Sequence, residues 1–461
     1  MKKIAQPMRI RWGVVLLAVA ACSAAWSQDE GALHGQLRRE GERAADACKF
    51  EFKALGGCAY TLFTDHPLHI AAGSLPPQNG FGLGRAFVWA KDTHNWRMSW
   101  DIDAVGSFGG AWRAGGYVKM VHTPHPETPR IQATHPYTVF DFYAQSISLN
   151  KVNFFGLGND TAVVNKSLFG MSETIVGASA IKPVYELRAI RWLNLSLNGE
   201  INGRFVDIRG EHGQSAPSIE TLYTNVTAPG LASQPRFFQL GEGVRIKPAL
   251  GNLQFNYLGK FQEFFASSSS QNSFQRWTVD LDHNYSLYSN SHGEVSGRLG
   301  PDSCAHGDEK CPDVQRTRNL NGSIDVRLFL SESITSGANV VPFYFQQTLG
   351  GQDIDSALAL GSYADYRFRA PNLLLLQESF EHSIWGPFGA KFMADQGRVA
   401  LTRGDLGFSH LKHSFAAGLT LRAGGFPMVS LMFAWGGAEG HHNIFNMNTS
   451  LLGGSSRPAL D

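Results

Sequence analysis

Apolar and polar residues alternate along many segments of this chain. In residues 96–104, WRMSWDIDA, every second side chain is apolar and the side chains between them are polar or charged. A period of two residues is typical of a β-strand whose two faces meet different surroundings. The segment therefore predicts a strand with one face towards an apolar environment and the other towards a polar one.

The same alternation recurs along the chain, for example in residues 193–205, 277–287, 323–330 and 414–422, and it predicts sixteen strands. These cover residues 81–91, 95–106, 111–122, 136–149, 157–166, 171–182, 191–207, 236–248, 251–264, 274–287, 319–331, 372–382, 388–396, 412–422, 427–435 and 442–452. A soluble sandwich also alternates, but its strands usually have about 5 or 6 residues. Most of these segments are longer, as strands that cross a membrane must be.

The ends of the apolar faces carry aromatic residues, which is typical of side chains at a membrane interface. In lipid every backbone N–H and C=O group must be paired, and a sheet achieves this by closing into a barrel. The sequence therefore predicts an all-β fold, a single sixteen-stranded antiparallel transmembrane β-barrel over residues 81–453.

In such a barrel the apolar faces meet lipid and the polar faces line the lumen. Side chains expected to face lipid include Trp96, Met98, Trp100 and Ile102. The charged residues expected to line the lumen are Arg97, Asp101, Asp103, Glu200, Arg204, Asp280, Asp282, Asp325 and Arg327. We interpret them as a solvated wall, with a selectivity device as the alternative.

Composition and the N-terminal residues bear on partners and on cellular localisation. Charged residues make up 17% of the sequence and the net charge is +1, so no nucleic-acid partner is indicated. Residues 1–27 are predicted to be a signal peptide, because basic residues precede a short apolar stretch and a small-residue cleavage site. The same stretch also resembles a lipoprotein box that would acylate Cys22. No segment after residue 27 is apolar enough over about 18 residues to be a transmembrane helix.

Two further segments flank the predicted barrel. Residues 28–80 are an N-terminal extension that would plug the lumen or lie at its periplasmic mouth, and residues 454–461 are a C-terminal tail. An even number of cysteines in an exported chain suggests disulfides, and the simplest pairs are local. These pairs are Cys48–Cys58 and Cys304–Cys311, with a metal loop at 304–311 as the weaker alternative.

The lengths of the links between strands alternate. Short links lie at 107–110, 183–190, 249–250, 383–387 and 423–426, and long links at 123–135, 208–235, 332–371 and 397–411. Short periplasmic turns and long outer loops are usual in such barrels. The long link 288–318 breaks the alternation. Either the periplasmic rim carries an insertion there, or the count of strands is wrong by one.

Residues 348–400 contain the most distinctive motifs: an LGG, a Tyr-Arg-Phe-Arg segment, an apolar strand, an Ile-Trp-Gly-Pro turn and a Phe-x-x-Asp-x-Gly strand. The positions are Leu349, Gly350, Gly351, Tyr366, Arg367, Phe368, Arg369, Leu373–Leu376, Ile384–Pro387, Phe392, Asp395 and Gly397. This stretch resembles the C-terminal barrel of the BamA/TamA-like surface-antigen superfamily. Residues 421–435 and 443–453 look like the last two strands of that family. The resemblance implies that the long loop, residues 332–371, folds into the barrel and meets Asp395.

The chain departs from the family pattern at two points. When Tyr363 and Asp365 are aligned, the loop arginine of the family falls at Gly361, so the cation that meets Asp395 is missing. Because an unpaired buried carboxylate is costly, Arg367 or Arg369 is expected to take its place. The family's periplasmic POTRA modules are also missing, so the resemblance is to the POTRA-less branch.

The resemblance implies a monomeric integral barrel of the bacterial outer membrane, in contact with its lipid, that moves or inserts polypeptide or lipid clients. A passive porin and a structural or receptor barrel are the alternatives. No enzymatic activity is expected, because the chain has no GxSxG motif and its histidines do not converge on a nucleophile. No metal site or cofactor is expected either, because no ligand spacing repeats.

Overall fold

A computed structural model describes residues 68–122, 137–184, 192–210, 216–268, 270–295, 315–385, 388–423, 426–447 and 457–460. The chain divides into two compact units, residues 1–70 and 71–461. Only residues 68–70 of the first unit are described, and every described strand lies wholly or mostly in the second unit. The predicted signal peptide, Cys22 and the four cysteines of the predicted disulfides lie outside the described residues.

In the described ranges, sixteen antiparallel strands form a nearly closed barrel, which confirms the predicted fold class. The strands are β1 (Leu68–Ser74), β2 (Phe81–Asp92), β3 (Trp96–Ser107), β4 (Trp112–His122), β5 (Val139–Phe154), β6 (Ser167–Pro183), β7 (Ser196–Gly210), β8 (Phe237–Ile246), β9 (Leu253–Ala266), β10 (Phe274–Val295), β11 (Gln315–Ile334), β12 (Asn372–Trp385), β13 (Phe388–Ala400), β14 (Lys412–Ala423), β15 (Phe426–Gly437) and β16 (Gly440–Met447). β1 pairs with β2, and every later strand pairs antiparallel with its successor in the chain up to β16.

The remaining regular elements are short. Two residues, Ala249–Leu250, follow β8 and pair with β9, and a small ribbon joins Gln347–Leu349 to Phe368–Ala370. One four-residue α-helix, Ile219–Leu222, lies in the described part of the chain. Three-residue 3-10 turns lie at Val163–Asn165, Ser270–Asn272, Phe343–Phe345 and Arg403–Asp405. Within the described ranges, no helix is both long enough and apolar enough to cross a membrane.

Side chains alternate between the two faces of the barrel wall. On β3, Ile102 is 61% exposed on the outer surface, whereas Asp101 and Asp103 are only 1% and 3% exposed and point inward. On β7 the same alternation leaves Phe205 exposed and buries Arg204. The outer surface therefore carries the apolar side chains that a lipid bilayer would cover.

The strand predicted at residues 157–166 is wrong. These residues form a loop that contains the 3-10 turn Val163–Asn165. Gly156 and Gly158 precede and enter the loop with φ angles of +95° and +107°. Glycine tolerates such backbone angles at little cost, whereas a regular strand cannot continue through them. The segment contains only the short apolar run 162–164, which does not by itself indicate a strand.

Strand β1 lies within residues 28–80, which the sequence predicts to be an extension, so the barrel begins earlier than predicted. The two errors offset each other in the strand count, but they change the end at which early links lie. Along the antiparallel order, link 108–111 lies at the same end as the long loop 335–371. The strand ends that flank residues 296–314 lie at the other end, since β10 is an even-numbered strand. The described strands thus number sixteen, as predicted.

Candidate functional site

The long loop between β11 and β12, residues 335–371, folds into the barrel, as predicted. Its 3-10 turn Phe343–Phe345 is buried among inward-facing aromatic side chains. The ring centroid of Phe343 lies 5.3 Å from that of Phe154 and 5.1 Å from that of Phe169, both edge to face. This is the geometry that aromatic pairs prefer, so the turn is a well-packed anchor inside the lumen.

Two arginines bind the backbone of this aromatic turn. Arg369 Nη1 donates a hydrogen bond to Phe343 O at 2.8 Å. From β10, Arg276 donates to Phe345 O, and its guanidinium lies 5.6 Å from the ring centroid of Phe264. Hydrogen bonds and cation–π contacts stabilise charges that would be costly to bury alone. The turn is therefore held by its carbonyl groups as well as by its rings.

The motif glycines Gly350 and Gly351 reverse the chain after the ribbon. Their φ angles are +106° and +59°, and a Cβ on Gly351 would lie 2.4 Å from Asp365 Oδ1. The same oxygen accepts a hydrogen bond from the backbone N–H of Gln352 at 3.0 Å. Burial raises the pKa of Asp365 above its usual value. A side chain at Gly351 would therefore disrupt the turn that places the rest of the loop.

The tip of the loop, residues 358–363, lies against the inner faces of the last strands. Asp395 of β13 is 2% exposed, and its Oδ2 accepts a hydrogen bond from the backbone N–H of Leu360 at 2.9 Å. Its Oδ1 accepts from Gln377 Nε2 at 2.9 Å, and Gln377 Nε2 also donates to Leu358 O at 2.9 Å. The carboxylate thus binds the loop through a backbone N–H and a side-chain amide.

Arg367 lies at the base of the loop and joins it to two other links. It donates to Glu439, between β15 and β16, and its Nη1 donates to Thr161 Oγ1 at 2.6 Å. Its guanidinium lies 4.8 and 4.7 Å from the ring centroids of Phe155 and Phe368. This ion pair is largely buried, because the side chains of Arg367 and Glu439 are 4% and 15% exposed.

The expectation that Arg367 or Arg369 pairs with Asp395 is therefore wrong. The ribbon holds residues 367–369 at the base of the loop, because Phe368–Ala370 pairs with the strand just before the glycine turn. The tip, which reaches Asp395, lies several residues earlier in the chain. The register of the ribbon thus separates both arginines from the carboxylate.

Gly361, where the sequence resemblance would place a loop arginine, is tightly enclosed by the last two strands. A Cβ on Gly361 would lie 3.0 Å from both Ala434 Cβ and Ile444 Cδ1. The next residue, Ser362, donates its backbone N–H to Ser414 Oγ at 2.9 Å. Close backbone packing holds the tip at this point, and the tip spans the strands from β13 to β16.

Tyr363 and Gly397 complete the contacts of the loop. The Tyr363 ring centroid lies 5.1 Å from that of Phe368, and its hydroxyl accepts a hydrogen bond from Ala438 N–H at 3.4 Å. A Cβ on Gly397 would lie 3.0 Å from Leu349 Cδ1. The absence of a side chain at Gly397 therefore lets the ribbon approach the wall.

We expect the substitution Gly361→Arg to weaken docking of the loop rather than restore an ion pair with Asp395. The new side chain must displace Ala434 or Ile444, and overpacking a filled site typically costs about 1–3 kcal/mol. Limited proteolysis in detergent measures docking, and faster cleavage within 335–371 is expected. Adding Ile444→Ala supplies space and should restore part of the protection. Unchanged cleavage of the single variant would contradict this account.

The predicted lumen-lining residues lie in separate groups along the strands. Asp280, Asp282, Asp325 and Arg327 lie together on β10 and β11, Glu200 and Arg204 lie on β7, Asp101 and Asp103 lie on β3, and Arg97 lies at the start of β3. Arg327 Nε donates to Asp280 Oδ1 at 2.8 Å. Arg97 lies 3.7 Å from Asp92 in an exposed pair. In the described part of the chain, no three His, Cys, Asp or Glu side chains are arranged to hold a metal ion.

Sequence reasoning missed three features of the lumen. The first is the aromatic turn, whose signal is the run VPFYF at 341–345 within the long loop. The second is Glu173, which lies 3.0 Å from Arg204 with both side chains at most 1% exposed. The third is the segment 457–460, which has no sequence signal and lies inside the barrel.

Each strand pairs antiparallel with its successor, the outer face is apolar, and loop 335–371 folds into the lumen. Together these features define a transmembrane-type β-barrel. No protein-family model and no curated protein matches this sequence. Among solved structures, CdiB from Acinetobacter baumannii matches with 9% identity and a TM-score of 0.47, over 82% of this chain and 58% of that chain. CdiB from Escherichia coli matches with 12% identity and a TM-score of 0.46, over 83% and 60%.

BamA from Haemophilus ducreyi, in a structure lacking POTRA domains 1–3, matches with 10% identity and a TM-score of 0.42. That match covers 88% of this chain and 80% of the other. The chain spans about three fifths of the two CdiB chains. The barrel fold itself is defined by the strand pairings of this chain.

Proposed function

We propose that this barrel resides in the bacterial outer membrane and moves or inserts polypeptide, with loop 335–371 as the element that opens. The proposal rests on the docking of the loop tip against four consecutive strands. The contacts come from Asp395 on β13, Ser414 on β14, Ala434 on β15 and Ile444 on β16. A barrel that fills its lumen with its own loop needs a movement of that loop before a chain can pass.

The contacts of the loop tip contribute a free energy small enough for a bound client to offset. Leu360 and Ser362 bind through single backbone N–H groups. Each such bond contributes about 0.5–1.5 kcal/mol net, or about 1.5–3 kcal/mol when the acceptor is charged. A client that binds the open form more tightly by a few kcal/mol would shift the population towards it. No buried ion pair has to be broken at the tip itself.

The loop also supports the last strand. Asn446 Nδ2 on β16 donates to Ser356 O of the loop at 3.2 Å. The neighbouring Met447 donates its N–H to Ser74 Oγ on β1 at 3.2 Å. Release of the loop would therefore remove support at the junction of the first and last strands. Passage through the lumen and lateral opening at this junction both begin with the same movement.

A disulfide between the loop tip and β15 tests the proposal. The ideal Cβ at Gly361 lies 3.0 Å from Ala434 Cβ, and a disulfide needs about 3.5–4.5 Å, so a small shift permits the bond. In cells depleted of the wild-type protein, we expect at least one outer-membrane or surface polypeptide to fall in abundance. The oxidised Gly361→Cys/Ala434→Cys variant should not restore it, and the reduced form should.

Quantitative proteomics of isolated outer membranes provides the readout, and the single variant Gly361→Cys controls for the native cysteines. Migration on gels with and without heating verifies that each variant is folded. If depletion changes no polypeptide, polypeptide transport is wrong. If small solutes enter vesicles equally fast through the oxidised and reduced forms, the passive porin is the better explanation. We propose transport, and not catalysis, as the role of the barrel.

A further inference from the structure

Residues 457–460 lie inside the barrel, beside the aromatic turn of the loop. Leu460 is 4% exposed and belongs to the same buried cluster as Phe264 and Phe345. Its backbone and the backbone of Ala459 are bound by charged side chains of the inner wall and of the loop. The segment thus lies between the inner wall of the barrel on one side and loop 335–371 on the other.

The site binds the backbone of the segment. Arg204 Nη2 donates to Ala459 O at 2.9 Å, and Arg204 Nη1 donates to Leu460 O at 3.1 Å. The backbone N–H of Leu460 donates to Asp355 Oδ1 and Oδ2 at 3.1 and 3.2 Å. Carbonyl and N–H groups are common to every polypeptide, so these contacts do not depend on side-chain identity.

Two further contacts select side chains. Arg457 forms an ion pair with Asp103, whose side chain is 1% exposed, and its guanidinium lies 6.0 Å from the Tyr117 ring centroid. Leu460 fills the aromatic cluster. Pro458 restricts its own φ and disfavours a helical conformation at Arg457, so less conformational entropy is lost when the segment binds. The site therefore favours an extended chain with a basic residue three positions before an aliphatic one.

Two residues of the barrel wall hold Arg204 in addition to the segment. Its Nη1 lies 3.0 Å from Glu173 Oε1, and its Nε donates to Gln239 Oε1 at 2.6 Å. With these two partners fixed on the wall, the remaining N–H groups point at the segment. A preorganised donor loses little freedom on binding, which favours affinity. The arrangement is that of a receptor for an extended peptide.

We propose that Arg204, Asp103 and Asp355 form a polypeptide-binding site in the lumen, and that residues 457–460 are its intramolecular occupant. The inference rests on the proposed function, because it identifies an extended polypeptide as the chemical class of client. A client would displace the segment and, since Asp355 belongs to loop 335–371, would take over a contact of the loop in the same step. Binding of a client at this site would thus be coupled to the loss of a contact that the loop makes.

Binding of a synthetic peptide tests the inference. The probe is the fluorescein-labelled peptide of residues 454–461, GSSRPALD, and the receptors are the purified full chain and the chain lacking 454–461, both in detergent. Fluorescence anisotropy should show binding to the truncated chain. An attached segment competes at an effective concentration near the millimolar range. The full chain should therefore bind the probe on the order of 10- to 100-fold more weakly.

Matched variants identify the site. In the truncated chain, Asp103→Asn should weaken binding several-fold, whereas Asp280→Asn, which alters another lumenal ion pair, should not. A probe carrying Arg457→Glu should lose binding to the truncated chain. If truncation impairs folding, the full chain with Arg457→Glu replaces it and should bind the unaltered probe more tightly than wild type. Equal binding to occupied and vacated chains, or no binding to either vacated chain, would overturn the inference.

This assay is independent of transport. If the peptide binds but depletion leaves the outer-membrane polypeptides unchanged, the lumenal peptide site is retained and the transport function is rejected. Polypeptide changes on depletion without peptide binding would retain the proposed function and remove the site. The two ideas can therefore fail separately.

Discussion

The substitution Arg367→Met is expected to lower the free energy of unfolding by about 3–5 kcal/mol and to release loop 335–371. Arg367 and Glu439 are 4% and 15% exposed, so loss of the guanidinium leaves a largely buried carboxylate without its cation. Methionine retains an apolar stem between the flanking rings, so the loss is one of charge and hydrogen bonds. Urea titration in lipid vesicles, followed by tryptophan fluorescence, measures the change.

An exposed ion pair in the same region provides the control. Lys412 and Asp160 lie 3.2 Å apart with side chains 28% and 88% exposed, so Lys412→Met should cost about 0–1 kcal/mol. In the double variant Arg367→Met/Glu439→Gln both charges are gone, and part of the stability should return. Equal losses for Arg367→Met and Lys412→Met would contradict the importance of burial at this pair.

The fold could be predicted from the sequence because a barrel in lipid has a repeated and simple pattern. Each residue of a strand has only two choices of face, and lipid penalises a polar choice on the outside. Ile102 and Asp103 show this, with 61% and 3% exposure at adjacent positions. What alternation cannot supply is the exact set of strands. Residues 157–166 contain only the short apolar run 162–164, which does not distinguish a loop from a strand.

The inner wall was harder to predict than the outer wall. Its polar residues were expected to meet water, but near the loop the inward positions Ile147, Phe169 and Ile175 are apolar and at most 1% exposed. They belong to one buried cluster with the aromatic turn of a loop that is distant in sequence. Because this burial is tertiary, no local pattern on β5 or β6 indicates it. The aromatic run of the loop was the available signal.

The sequence predicted which residues belong to the candidate site, but it did not predict which of them are in contact. The resemblance identified Gly350, Gly361 and Asp395 as loop and wall positions, and the structure brings their segments together. It did not show that a backbone N–H would replace an arginine, because that depends on how closely Gly361 approaches Ala434 and Ile444. Such distances follow from packing of whole strands rather than from residue type.

The second large effect is expected at Arg204. Its side chain and that of Glu173 are 1% and 0% exposed. Removing one member of a buried pair typically costs about 3–5 kcal/mol, and we expect a loss of that size for Arg204→Met. The double variant Arg204→Met/Glu173→Leu removes both charges and should be much closer to wild type. The same urea titration measures both variants.

The partly exposed lumenal pair Arg327–Asp280, with side chains 34% and 22% exposed, is the matched control. Arg327→Met should cost about 1 kcal/mol or less, because water screens that pair. Deletion of residues 454–461 separates the two roles of Arg204. In the Arg204→Met background the segment has already lost two carbonyl contacts, so the deletion should cost less than in wild type. Additive effects would mean that Arg204 and the segment stabilise the barrel independently, in conflict with the observed hydrogen bonds.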